Sequence, residues 1–224
     1  MKNISDKSQL TKTPLFLGMS AGDIDDIVAT ASLGLHKYAR GKLIAADGDA
    51  CRHLRMLING TVSIESRAYD NGYLVEETAT APYMMQLECL FGLTQLYTKT
   101  FTAESECHIL VIDKTEMMRL AERYDIFRLN VINIICTATQ KAQREAWRTR
   151  PKTIQAKIIR FIESHCARPA GRKVLRIKMT RLAAEIAESR LNVSRELHAM
   201  SAGGLIELHR NCITVPAIEK LICL

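Results

Sequence analysis

The chain has 224 residues, of which 47% are hydrophobic and 25% are charged. This is enough apolar material for one large hydrophobic core or two modest ones. No apolar run approaches the roughly 18 residues that a membrane-spanning helix needs. The first residues of the chain lack the apolar core of a signal peptide. We therefore expect a cytoplasmic protein without a membrane partner.

Charge is distributed unevenly along the chain. The net charge is +7, but residues 141–224 contain 17 lysines and arginines against 7 acidic residues. Residues 1–140 contain 14 basic and 17 acidic residues. A cationic surplus confined to one part of a chain predicts a polyanionic partner for that part. Nucleic acid is favoured over an anionic membrane surface.

The seven cysteines are scattered, and no two of them form a C-x-x-C pair. This pattern indicates reduced thiols, and it lacks the ligand spacing of a zinc or iron–sulfur site. The sequence also contains no recognisable nucleophile–base pair and no glycine-rich loop for phosphate. We therefore expect neither a catalytic site nor a metal site.

The first predicted element is a short helix within residues 15–31. Residues 33–113 then alternate short apolar segments with turn residues. Asn-Gly pairs at 59–60 and 71–72 predict two β-hairpins. Short strands recurring at this spacing are typical of an antiparallel barrel or sandwich.

Residues 115–147 contain no glycine or proline and predict one long helix with two apolar seams. A helix that packs only on its own domain needs one seam. The second seam therefore predicts pairing with a second copy of the same helix, and burial between two domains of one chain is the alternative. The predicted dimer interface consists of Tyr124, Phe127, Val131, Ile134, Ile135 and Ala138.

A hinge is predicted at residues 148–151, because Pro151 disfavours helical geometry in the residue before it. A helix over residues 153–167 and a strand over residues 174–179 follow. Residues 180–208 then predict two short helices joined by a tight turn, and a hairpin ends the chain. Helix-turn-helix elements flanked by a strand and a hairpin make a winged helix.

The second short helix has the composition of a DNA-reading helix. Ser189 suits the position that caps the start of this helix. Arg190, Asn192 and Arg195 lie outside the apolar stripe that Val193, Leu197 and Met200 define. Arginine and asparagine are the donors that read guanine and adenine edges in a major groove. The pattern therefore predicts a DNA-binding helix-turn-helix.

The order of these elements resembles the CRP/FNR family of catabolite activators and anaerobic regulators across nearly the entire chain. The motifs that support the resemblance are each short, and their order and spacing together make it specific. They are Gly48-Asp49, Asn59-Gly60-Thr61-Val62, Phe91-Gly92, residues 107–114 (CHILVIDK), Leu182-Ala183 and Val193-Ser194-Arg195.

The resemblance implies an α+β fold in three parts. Residues 1–114 would form a cyclic-nucleotide-binding-type antiparallel β-barrel (a jelly roll) with its N-terminal helix. Residues 115–147 would form the dimerisation helix, and residues 148–224 the winged helix-turn-helix. The resemblance further implies a homodimeric transcription regulator on a palindromic stretch of double-stranded DNA. An effector in the barrel would control it, and RNA polymerase would be a further partner.

The resemblance also assigns the DNA-binding residues. Recognition helices of the family use two arginines and a glutamate in their first turns. Arg190 and Arg195 fall on the arginine positions, but Leu191 replaces the glutamate, so we expect a different operator. Ala187 stands where a turn glycine is common. The predicted DNA-binding residues are Thr180, Ser189, Arg190, Leu191, Asn192, Ser194 and Arg195, of which Thr180 and Ser189 suit phosphate contacts.

The effector site departs further from the family pattern. Cyclic-nucleotide binders have a glutamate where Leu93 stands and an arginine where Tyr97 stands. Without the arginine, the charge-assisted bond to the cyclic phosphate is lost. We therefore expect an effector other than cyclic AMP, or none, and its identity stays open. The residues that match the effector pocket are Phe91, Gly92, Leu93, Tyr97 and Thr98.

Other sensing chemistries stay open as alternatives. Haem or redox sensing would use a different set of side chains, and the winged helix of such a module would contact protein instead of DNA. The candidate haem ligands are His36, His53, His108, Met84 and Met85, and the candidate redox thiols are Cys89 and Cys107.

Overall fold

The computed structural model describes residues 7–222, so Cys223 and the first six residues of the N-terminal segment lie outside the description. The chain forms two compact units. The first contains the chain up to Val62 together with Ala79–Ala146. The second contains Ser63–Thr78 together with the chain from Trp147 onward. The sequence places the domains in linear order, whereas the structure groups the segment Ser63–Thr78 with the C-terminal unit.

The first unit begins with helices α1 (Lys7–Thr11) and α2 (Ala21–Thr30). The Ser20 hydroxyl caps α2 by accepting a bond from the Asp23 amide, and the Asp23 carboxylate bonds back to the Ser20 amide. The strands that follow are β1 (Leu33–Tyr38), β2 (Leu43–Ala45), β3 (His53–Asn59), β4 (Thr61–Arg67), β5 (Tyr73–Thr80), β6 (Tyr83–Met85), β7 (Thr100–Ala103) and β8 (Cys107–Asp113).

An antiparallel sheet in the first unit has the strand order β1, β8, β3, β6. Strand β2 pairs antiparallel with β7. Of the two predicted hairpins, the one at residues 71–72 forms, since β4 and β5 are neighbouring strands joined across residues 68–72. The one at residues 59–60 does not form, because β3 turns into β4 at Gly60 but pairs with β8 and β6 instead. Gly60 has a φ of 98°, and a Cβ there would lie 2.4 Å from the Glu106 carbonyl oxygen. Only glycine fits this turn.

The long helix predicted over residues 115–147 is interrupted. Helix α3 (Lys114–Arg123) ends at Tyr124, and α4 (Asp125–Ala146) begins directly afterwards. Tyr124 has an extended backbone, with φ −121° and ψ 108°. Its side chain is buried, and its hydroxyl donates to Asp26 on α2. The helix therefore breaks where a side chain enters the core of its own unit.

The second unit contains α5 (Ile154–Ser164), β9 (Lys173–Ile177), α6 (Met179–Glu185), α7 (Arg190–Ala202), β10 (Glu207–His209), β11 (Cys212–Val215) and α8 (Ile218–Ile222). The predicted helix, strand, helix pair and terminal hairpin are all present, and α8 was not predicted. Strands β10, β11, β9, β5 and β4 lie side by side in that order.

The core of the second unit takes residues from both of its segments. Val75 of β5 is 1% exposed and belongs to the same hydrophobic cluster as Phe161, Leu175 and Leu197. Tyr73 packs against this cluster, with its ring centroid 5.3 Å from that of Phe161. Within the described residues, no helix is both long and apolar enough to cross a membrane.

Candidate functional site

Helices α6 and α7 form a helix-turn-helix whose inner faces are buried. Ser189 caps α7 as predicted, since its hydroxyl accepts a hydrogen bond from the Asn192 amide at 3.2 Å. The predicted inward stripes are buried on both helices, and they consist of Leu182, Ala183, Ile186, Val193, Leu197 and Met200. With these side chains facing inward, the start of α7 presents its remaining residues to solvent.

The predicted DNA-reading side chains lie on this exposed surface. Arg190, Asn192 and Arg195 are exposed, and Leu191 is 61% exposed. No ion pair within residues 7–222 engages Arg190 or Arg195. Both guanidinium groups are therefore available to an external acceptor. The remaining members of the predicted set are Thr180 and Ser189, which are exposed, and Ser194, which is half-buried.

The turn between the two helices is strained at Ala187. This residue has a φ of 52°, in the left-handed region that favours glycine. The Glu188 amide donates to the Ala183 carbonyl oxygen at 2.9 Å and closes the turn. Glu188 also accepts from Lys157 on α5 at 2.6 Å, so the turn is fixed to the neighbouring helix.

The β4–β5 hairpin contacts the helix-turn-helix at Arg181, a residue that sequence reasoning did not single out. The Arg181 guanidinium lies 2.7 Å from the Asp70 carboxylate and 2.6 Å from the Glu185 carboxylate. It also stands over the Tyr73 ring, 5.7 Å from its centroid. The Gly72 amide and Arg181 hold the pKa of the Asp70 carboxyl below its ordinary value.

Behind this contact, strand β5 pairs antiparallel with β9 from Tyr73 opposite Ile177 to Glu77 opposite Lys173. Glu77 and Lys173 are both buried and form an ion pair of 2.6 Å. The Glu77 carboxylate also accepts from the amides of Ala167 at 2.6 Å and Arg168 at 3.0 Å. The buried charge pair is therefore well supplied with hydrogen bonds.

In the barrel, the residues predicted for the effector pocket lie along one segment but face different surroundings. Leu93 is fully exposed, and Gly92 has a φ of 99°. Tyr97 is 1% exposed; its hydroxyl donates to the His53 carbonyl oxygen at 3.1 Å and accepts from Arg55 at 2.7 Å. The Thr98 hydroxyl accepts from the Gln86 side chain at 2.6 Å.

Phe91, the last residue of that predicted set, lies beneath the Lys114 ammonium group, 5.1 Å from it. Tyr97 thus occupies the interior at the position where cyclic-nucleotide binders of the resembled family present an arginine. Burial raises the pKa of the Tyr97 phenol well above its ordinary value, so the hydroxyl stays protonated.

The candidate redox thiols are enclosed. Burial raises the pKa of Cys89 to about 11. Cys107 is fully buried, and its thiol donates to the Thr61 carbonyl oxygen at 3.1 Å. Because the thiolate is the reactive form, the raised pKa of Cys89 disfavours oxidation of this thiol at neutral pH. Across residues 7–222, no three His, Cys, Asp or Glu side chains are grouped so that they could hold a metal ion.

The predicted dimer residues divide into two groups. Tyr124 and Phe127 are buried in their own chain, and Phe127 packs on Phe16 with ring centroids 5.5 Å apart. These two side chains are therefore not open to a partner, which corrects their assignment. Val131, Ile134 and Ile135 are half-buried, and Ala138 is exposed.

A different apolar row on α4 faces solvent. Ile126, Leu129 and Ile132 are exposed at a spacing of three residues, and Cys136 extends the row. A stripe of this kind on a long helix is typical of a helix–helix interface. We call these four residues the α4 row.

Comparison with known proteins agrees with this architecture. Residues 35–124 match the family model of the cyclic nucleotide-binding domain. Among curated proteins, no sequence matches the chain. The chain therefore contains a cyclic nucleotide-binding-type β domain, which is followed by helices and a winged helix-turn-helix.

Solved structures define the fold more closely. The chain is similar to the catabolite activator protein of Thermus thermophilus, with 19% identity, a TM-score of 0.50 and coverage of 94% of this chain and 97% of that one. It is also similar to the c-di-GMP-responsive global regulator CLP of Xanthomonas campestris, with 17% identity, a TM-score of 0.52 and coverage of 88% and 99%.

A transcriptional regulator of the CRP/FNR family from Eubacterium rectale gives 17% identity and a TM-score of 0.53, with coverage of 94% of this chain and 96% of that one. The chain has the fold of the CRP/FNR transcription regulators. The resemblance inferred from its motifs is confirmed at this level.

Proposed function

We propose that this protein is a homodimeric transcription regulator that binds a specific DNA sequence through α7. The observation that carries the proposal is that Arg190 and Arg195 are exposed at the start of a capped helix and have no ion-pair partner among residues 7–222. This helix belongs to the part of the chain that has a large cationic surplus. Cationic surface supplies affinity for phosphates, and the exposed donors supply selectivity for bases.

Base reading would use three neighbouring side chains of α7. Arg190 and Arg195 are suited to guanine, and Asn192 is suited to adenine. Leu191 cannot accept a hydrogen bond from cytosine, but its exposed side chain can contact a thymine methyl group. Thr180 and Ser189, at the starts of α6 and α7, are placed for phosphate contacts. The operator would therefore differ from one read by a glutamate at position 191.

Dimerisation would place two α7 helices in successive major grooves, about one helical turn apart on a roughly palindromic operator. The α4 row supports this arrangement, because exposed apolar residues at helical spacing are covered most simply by the same row of a second copy. RNA polymerase would be the further partner of such a regulator at a promoter.

Control would come from an effector other than cyclic AMP bound in the barrel. The buried Tyr97 supports this proposal, since it offers no cation for a cyclic phosphate. Effector binding would change the packing of the paired α4 helices, and residues 148–151 would then alter the separation of the two α7 helices. Such a switch requires that the effector bind one arrangement more tightly than the other.

The test of DNA recognition is selection of duplexes from a random pool, followed by titration of the selected site. Arg195→Ala should weaken binding to that site by about 1–3 kcal/mol and relax the preference at one base pair. Arg40→Ala removes an arginine of the first unit that is also exposed, and it serves as the charge-matched control. Unchanged affinity and preference in the Arg195 variant would refute the assignment.

The same titration distinguishes DNA binding from the main alternative, in which the winged helix contacts a protein. If the winged helix serves protein contacts, no duplex will be enriched over random competitor. The binding constant will then also lack the steep dependence on salt that phosphate contacts impose.

A further inference from the structure

The β4–β5 hairpin is acidic, whereas the rest of the second unit is basic. The segment Ser63–Thr78 contains four carboxylates and one arginine, and residues 147–224 contain 15 lysines and arginines against 6 acidic residues. Three of the four hairpin carboxylates form ion pairs with cations of β9 and α6. These pairs are Asp70–Arg181 at 2.7 Å, Glu76–Arg176 at 2.6 Å and Glu77–Lys173 at 2.6 Å.

The three pairs differ in what they do. Glu77–Lys173 is buried and belongs to the core of the unit. Arg176 is exposed and belongs to strand β9, not to either short helix. Arg181 alone lies in the first turn of α6, next to the exposed Thr180 that is proposed to contact phosphate. The pair at Arg181 therefore bears on DNA binding.

The terminal nitrogens of Arg181 are engaged by its own chain. Two carboxylates hold its terminal nitrogens, the Tyr73 ring lies under it, and its Nε is buried without a hydrogen-bond partner. Arg190 and Arg195, by contrast, have no carboxylate partner in the described chain. A guanidinium with two carboxylate neighbours has little attraction left for a third anion, because the local charge is already compensated.

We propose that the tip of the β4–β5 hairpin is an inhibitory clamp on the helix-turn-helix, in which Asp70 competes with a DNA phosphate for Arg181. While Asp70 holds Arg181, the start of α6 has one cation fewer that is available to a DNA phosphate. Release of the tip adds one phosphate contact per protomer. This inference rests on the proposed DNA-binding function, and it adds a site of regulation that lies outside α7.

The experiment compares wild type with Asp70→Asn in titrations of a fluorescein-labelled duplex pool of random sequence. Asparagine keeps the oxygen that accepts the Gly72 amide at 3.0 Å but removes one of the two negative charges beside Arg181, and the pair with Glu185 remains. One extra phosphate contact should tighten binding by roughly eightfold per protomer at about 0.1 M salt. The slope of log K against log salt should steepen by about 0.9 per protomer.

Two further variants show whether the gain passes through Arg181. Arg181→Gln should change wild-type affinity little, and it should abolish the gain when combined with Asp70→Asn. Glu65→Gln is the matched control, since Glu65 lies in the same hairpin and pairs with Arg67 of that hairpin. A gain of equal size in the Glu65 variant would attribute the effect to net charge and overturn the clamp.

Gly72→Ala tests the clamp without changing the charge of the protein. It replaces Asp70→Asn in the titrations if that variant does not fold. A Cβ at position 72 would lie 3.0 Å from Asp70 Oδ1 and 3.2 Å from the Arg181 guanidinium carbon, so both side-chain ends must shift by a few tenths of an ångström and the contact between them is perturbed. We expect tighter DNA binding here as well, with an unchanged circular dichroism spectrum.

The outcomes separate the two proposals. If wild type binds duplex DNA and the folded Asp70 and Gly72 variants bind with the same affinity and salt slope, the clamp is wrong while DNA binding stands. If Asp70→Asn binds duplex DNA and wild type does not, the clamp is supported. If neither wild type nor any variant binds duplex DNA, both proposals fail.

Discussion

At the scale of single residues, the helix-turn-helix was predictable because its determinants are local. A capping serine, an inward apolar stripe and polar residues outside that stripe lie within one short segment, and the structure places Ser189, Val193 and Leu197 accordingly. Arg181 was not predictable in the same way. Its partner Asp70 is distant in sequence, and no local pattern indicates that a carboxylate will hold this arginine.

The positive φ of Ala187 gives a stability prediction. Ala187→Gly should stabilise the protein by about 0.5–1 kcal/mol, since glycine removes the left-handed penalty of about 1–2 kcal/mol but costs more backbone entropy. The urea midpoint of unfolding measures this change. Ala184→Gly, in the exposed face of helix α6, is the control and should destabilise by about 1 kcal/mol. Destabilisation at both positions would show that the turn is not strained.

At the scale of elements, the sequence indicated most helices and strands correctly but not how β5 is used. The Asn-Gly turn at 71–72 predicts that a strand follows it and pairs with β4. Pairing between β5 and β9 joins segments about a hundred residues apart. Nothing in the sequence of either strand indicates that it pairs with the other. For a similar reason, the apolar pattern of residues 115–147 did not reveal which seam its own chain covers, so Tyr124 and Phe127 were assigned to the wrong surface.

The buried pair between β5 and β9 predicts a large, asymmetric effect on stability. Lys173→Met leaves the Glu77 carboxylate buried without its cation and should cost about 3–5 kcal/mol. Combining it with Glu77→Gln should restore much of that loss, because no unpaired charge remains. Arg176→Met, on the same strand, breaks an exposed pair and should cost less than about 1 kcal/mol.

Urea unfolding of the full chain measures all three variants. Equal losses for Lys173→Met and Arg176→Met would contradict the idea that burial sets the cost of breaking the pair.

At the scale of the whole molecule, the fold could be inferred from the order of short motifs, but the surface that we propose for assembly required coordinates. The dimer proposed through the α4 row predicts that Leu129→Asp disrupts assembly, because a twofold axis would place two aspartates in an apolar seam. The dimer dissociation constant should rise by more than about tenfold.

Size-exclusion chromatography with light scattering measures this change. Leu43→Asp is the control, as Leu43 is 54% exposed on β2 and Leu129 is 55% exposed on α4. A fully dimeric Leu129 variant would exclude the α4 row as the interface.

The contribution of Val75 and Tyr73 to the C-terminal core also bears on how such a protein can diversify. A module that is contiguous in sequence can be exchanged by joining two gene segments at one point. Here the C-terminal module includes a strand encoded within the barrel, so a chimera that joins residues 147–224 to a foreign barrel leaves the edge of β9 and its apolar neighbours uncovered. Recombination that preserves a working regulator would have to carry residues 63–78 along with the tail of the gene.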